Sequence, residues 1–137
     1  VPGLSIDDRL AIHALVNEYA WRLDHQRWHE IADLCTEDAV LSIRRREIVG
    51  KAGLAEWASY RQAKEVTRKT LHQMTNLRLE AVDADHATGV AALVLHIAKG
   101  GGSATYVDLV GDYHDEYVRT PEGWRFRRRR LAGIGTT

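Results

Sequence analysis

The spacing of apolar residues changes character near Arg68, and this change restricts the available folds more than any other feature. Before it, apolar positions recur every three or four residues. Ile12, Leu15, Val16, Tyr19 and Leu23 form one stripe of a helix expected over about residues 6–25. Ser5 is placed to cap that helix, and Asp7 and Asp8 suit its positive end. A second helix is expected at about 28–36, with Trp28, Ile31, Ala32 and Cys35 inward, and a third at about 51–63. Val40–Ile43 between them reads as a short strand.

After Arg68 the chain reads as long strands, over about 68–82, 87–98, 104–119 and 124–131. Asp83-Ala84-Asp85-His86, the glycines at 100–102 and Thr120-Pro121-Glu122-Gly123 supply the turns. Helices followed by a meander of strands predict an α+β domain spanning 1–137, with three helices closing a cone-shaped, curved antiparallel sheet. Strands of this length must bend, and a bent sheet covered by helices encloses a conical cavity.

Composition narrows the function. Formal net charge is zero, so no global field steers the chain to nucleic acid or to an acidic membrane. No stretch has the length of a transmembrane helix and the N-terminus lacks signal-peptide character, so a cytoplasmic location is expected. Cys35 is the only cysteine and lies on an apolar helical pattern, so it reads as a small buried hydrophobe. Neutral charge, and a sheet whose helices cover one face only, favour a homo-oligomer, a dimer or trimer, through the outer face.

Several residues could carry chemistry. Asp24 ends the first helix, and Tyr19 lies on its apolar stripe. His72 shares one strand face with Thr70, Met74 and Asn76. A histidine paired with a buried carboxylate becomes a general base, because the carboxylate fixes its tautomer and stabilises the imidazolium. Arg127 to Arg130 occupy the last strand, where alternation sends two to each face. The inward pair must meet a cavity, a partner or an acid. His25 and His29 have a two-ligand spacing, but no third ligand accompanies them, so no metal is expected. Phosphate loops, dinucleotide fingerprints and Ser or Cys nucleophile motifs are missing, and no cofactor is expected.

Residues 19–24 (YAWRLD), 27–40 (RWHEIADLCTEDAV), 72–85 (HQMTNLRLEAVDAD) and 115–126 (DEYVRTPEGWRF) together resemble the SnoaL-like branch of the nuclear-transport-factor-2-like superfamily. Within it the pattern is similar to the bile-acid dehydratase, scytalone dehydratase and lindane dehydrochlorinase group. The resemblance implies a cystatin-like α+β barrel and an Asp-His dyad at Asp24 and His72. It also implies an arginine matched best by Arg129, and a tyrosine at Tyr19 where the dehydrochlorinase has lysine. The tyrosine points towards loss of a hydroxyl rather than a halide. The implied activity is a cofactor-independent lyase acting on a small cyclic or polycyclic apolar substrate. The alternatives are an isomerase or polyketide-type cyclase with the same base, and a non-catalytic binding or dimerisation domain. Strand alternation, and the closeness of Trp21 to the dyad in sequence, nominate Trp21, Leu41, Met74, Leu93, Leu95, Leu109 and Tyr113 as pocket wall.

Overall fold

The computed structural model describes residues 3–98 and 104–135, so the glycine turn expected at 100–102 lies outside the described residues. Helix α1 spans Ile6–Asp24 and is followed by strand β1 (Cys35–Ile43), strand β2 (Arg46–Val49) and helix α2 (Gly50–Lys64). Four long strands complete the chain: β3 (Lys69–Asp83), β4 (His86–Ala98), β5 (Thr105–Thr120) and β6 (Gly123–Gly133). The Ser5 hydroxyl accepts the Asp8 N–H at 3.0 Å, so α1 begins at its expected cap.

The six strands form one open sheet in the order β2-β1-β6-β5-β4-β3. The pairings from β3 through β6 are antiparallel, but β1 runs parallel to β6. The expected all-antiparallel sheet is therefore mixed, and it does not close into a barrel. Alternation specifies which face a side chain occupies, not the direction of the neighbouring strand. The expected helix at 28–36 is two single 3-10 turns, Trp28–Glu30 and Ala32–Leu34, and Cys35 already belongs to β1.

Strand β4 alternates perfectly, burying Ala87, Gly89, Ala91, Leu93, Leu95 and Ile97. Its neighbours are interrupted by bulges, which bend the sheet around α1. One lies between Thr75 and Arg78, where Asn76 takes φ 55°. Thr70, His72 and Met74 face the helices before it, and Leu77 and Leu79 face them after it; Asn76 does not share that face. Strands β5 and β6 approach so closely at Gly111 that a Cβ there would lie 2.2 Å from the Ala132 carbonyl oxygen. The core between α1, α2 and the concave face holds Ile12, Leu15, Val16, Leu54, Trp57, Tyr117 and Phe126. Among the described residues no helix is long and apolar enough to cross a membrane.

Candidate active site

Asp24 is the last residue of α1, where the helix dipole disfavours a carboxylate. Three donors from β3 offset this. The Thr70 hydroxyl donates to Oδ1 at 3.0 Å, and the His72 backbone N–H reaches Oδ1 at 3.0 Å and Oδ2 at 2.9 Å. The third donor is His72 Nδ1, 2.6 Å from Oδ1. β3 is an edge strand, so a carboxylate from α1 takes a backbone donor that no further strand can use. The two side chains are only 9% and 11% exposed. Because the carboxylate only accepts, Nδ1 carries the proton of this bond, and in a neutral imidazole Nε2 then keeps its lone pair.

His72 lines a cavity of about 70 Å³ between the helices and the sheet. Its walls are Tyr19, Leu23, Trp28 and Trp57 on one side and Ile43, Leu93, Leu95, Tyr113 and Leu131 on the other. Thr70 stands beside His72, and Arg44, Arg61, Glu65 and Arg68 complete the lining. The Tyr19 hydroxyl is buried with no hydrogen-bond partner. Burial pushes its phenol well above the ordinary value, although Arg129 pulls the other way, so it stays protonated and able to donate.

Arg129 does not line this cavity. It is fully buried behind the wall, opposite Asp115 in the β5–β6 register. Nε donates to Asp115 Oδ1 at 2.8 Å and Nη2 to Oδ2 at 3.1 Å, while the Tyr117 hydroxyl donates to Oδ2 at 2.7 Å. The guanidinium carbon lies 4.3 Å from the ring centre of Tyr19, 3.8 Å from that of Tyr113 and 4.3 Å from that of Phe126. Only one arginine of the run is buried, not two. A bulge makes Arg127 an extra residue between Phe126, which pairs with Tyr117, and Arg128, which pairs with Glu116.

Three of the expected wall residues, Leu93, Leu95 and Tyr113, line the cavity. Trp21 does not: it is 46% exposed and stacks on His25 at 4.2 Å, because residues two apart on a helix face opposite ways. Leu41 is buried in the core, Leu109 packs at its margin, and Met74 borders a separate cleft with His13, Val16 and Asn17. Trp28 and Thr70 carried a usable signal, Trp28 through its helical spacing and Thr70 through the strand face it shares with His72. The arginines carried none. Arg44 is projected by a β1–β2 turn in which it takes φ 57°, a conformation non-glycine residues seldom adopt. His25, half of the two-histidine spacing, uses Nδ1 to donate to the Trp21 carbonyl at 2.8 Å.

This architecture, a helix-closed curved sheet with a cavity on its concave face, is that of the SnoaL-like domain family, which matches residues 5–130. The chain belongs to that family. It is 28% identical over 128 residues to the uncharacterised protein Rv2910c of Mycobacterium tuberculosis, covering 90% of this chain and 84% of the relative. A solved structure from Novosphingobium aromaticivorans, provisionally named an aromatic ring hydroxylase, superimposes with TM-score 0.84 at 28% identity, over 97% of this chain and 93% of the other. An NTF2-like protein with a cystatin-like fold from the same organism gives TM-score 0.81 at 21% identity, covering 96% and 85%. A further one, provisionally named a scytalone dehydratase, gives TM-score 0.81 at 23% identity, covering 97% and 91%. The last two likenesses bear on the fold alone.

Proposed function

We propose that the chain is a cofactor-independent lyase of the dehydratase type. The observation that carries this reading is the His72 Nδ1–Asp24 bond of 2.6 Å at a cavity that His72 and Tyr19 both line. In the proposed reaction Nε2 takes a proton from a carbon next to an activating group. The C–H electron pair forms the double bond as the neighbouring C–O bond breaks. Asp24 holds the imidazole in its tautomer and stabilises the imidazolium. Tyr19 donates to the departing hydroxyl, which leaves as water. A free phenolate in this buried site is disfavoured, so the imidazolium returns its proton to Tyr19 to close the cycle. Arg129 supports the Tyr19 and Tyr113 rings from behind and does not touch substrate.

The enclosed volume of about 70 Å³ is below the roughly 150 Å³ of an apolar protein cavity that accepts benzene. Only part of a ring therefore fits in the enclosed space, and the rest of any cyclic substrate would have to extend through the mouth. The test is a panel of single-ring β-hydroxy carbonyl compounds incubated in heavy water and followed by mass spectrometry. Loss of one water that disappears in His72→Ala is the expected result. Deuterium uptake without loss of water would favour the isomerase or cyclase reading. Neither change, with binding retained, would favour a ligand-binding domain.

A further inference from the structure

The mouth of the cavity has a charge pattern that the proposed elimination does not use. Arg61, near the end of α2, and Arg68, just before β3, both direct Nη1 to the same oxygen of Glu65. The Arg68 bond is 3.2 Å and the Arg61 bond is shorter. All three side chains are about one-quarter exposed, so they stand where the cavity meets solvent. Arg44 lines the same cavity and is paired with Asp108. Three guanidiniums face two carboxylates at the rim, and the Asp24 carboxylate lies behind His72 further in. The loop is tied down, because Gln26 Nε2 donates to the Val66 carbonyl at 2.5 Å.

Taking this cavity as the substrate site, we infer that the substrate carries a single carboxylate, held by Arg61 and Arg68 at the mouth while its apolar ring reaches His72. Two guanidiniums converging on one oxygen of Glu65 already display the required geometry, with Glu65 occupying the place of the incoming carboxylate.

The experiment is binding of benzoate, methyl benzoate and phenyl phosphate to the full chain, read by titration calorimetry and tryptophan fluorescence. Trp28 and Trp57 in the wall should report occupancy. Benzoate should bind best. Arg68→Gln should weaken it by about tenfold, the low end for removing a charged partner at a half-open site. Glu65→Gln should strengthen it by removing the competing carboxylate, an opposite effect that a general loss of folding cannot produce. Equal affinity for methyl benzoate, or no response to Arg68→Gln and Glu65→Gln, would overturn the inference. Tighter binding of phenyl phosphate would overturn the choice of a monoanion. Carboxylate binding without turnover of any hydroxylated ring acid would sink the lyase reading and leave the anion site standing. Turnover of neutral substrates that ignores both variants would do the reverse.

Discussion

Replacing Asp115 by alanine is the sharpest test of how the pocket wall is built. The Arg129 side chain is fully buried, and its Nη1 already lacks a hydrogen-bond partner. Asp115 supplies the only carboxylate bonded to it among the described residues, through Nε and Nη2, and also accepts the Tyr117 hydroxyl. Asp115→Ala leaves the guanidinium charged and unpaired among three aromatic rings, which cannot substitute for a carboxylate. Breaking a buried pair from one side costs about 3–5 kcal/mol, against a total stability of about 5–15 kcal/mol for a typical domain. For 137 residues the usual unfolding entropy per residue converts this to a fall in Tm of about 10–17 °C. Differential scanning calorimetry and urea unfolding followed by circular dichroism both read it. Arg129→Met combined with Asp115→Ala should recover much of the loss, because an apolar replacement of the whole pair carries no stranded charge. A loss below about 1 kcal/mol for Asp115→Ala alone would refute the reasoning, since it would mean that water reaches the guanidinium and the pair is not dry.

The remaining expectations concern the dyad, acid stability, the thiol and assembly. His72→Ala should abolish turnover with the fold intact by circular dichroism. Asp24→Asn should lower kcat by about 10²–10⁴-fold, because an amide neither fixes the tautomer nor supports the cation. Asp8 holds α1 to the β5–β6 hairpin: Arg119 Nη1 and Nη2 donate to it at 2.8 and 3.0 Å, and Trp124 Nε1 at 3.1 Å. The Arg119 and Trp124 hydrogen bonds hold its carboxyl far below the usual carboxylate range. A depressed folded value means that its contribution is complete above the unfolded value of about 4 and is lost as pH falls towards the folded one. Asp8→Asn should flatten that acid limb in thermal melts, and an unchanged limb would remove Asp8 as its cause. Burial pushes the Cys35 thiol up to about 12, so a disulfide reagent at neutral pH should label it only after unfolding. Leu71, Val107 and Val110 are exposed on the outer sheet face, and we expect a homodimer through it; light scattering that finds only monomer at micromolar concentration would exclude this.

The strand pattern made much of the fold legible. Every second residue of β4 is buried, and the α1 stripe of Ile12, Leu15, Val16, Tyr19 and Leu23 is buried as a unit. These are averages over many residues, and tertiary context does not easily reverse them. Features decided by one residue were not legible. The bulge at Arg127 changes which arginines turn inward, and the bulge near Asn76 flips the face of β3, yet neither leaves a mark in the apolar spacing. The residues at 28–36 satisfy their inward positions equally well as 3-10 turns, so a helical spacing could not tell the two apart. Strand β2 has only four residues, too few to show an alternation.

The candidate site was nominated for a different reason. Asp24 and His72 are brought together by a helix end meeting an edge strand, which no local periodicity announces; the family pattern nominated them. What sequence physics does register is a breach of local rules. Asp24 sits at the helix end that repels it, and its energy is recovered only through three donors on β3. Arg129 is a charge placed in the apolar register of β6, compensated by Asp115 and a cage of rings. Arg44 adopts a left-handed backbone that a glycine would adopt more easily, and Tyr19 keeps a buried hydroxyl unbonded. Each departure is unfavourable locally, and all four lie at the cavity or directly behind its wall. Asn76 shows that such breaches also occur elsewhere, but these four gather around the one cavity that the proposed function uses, which is why variants at that cavity are the first to test.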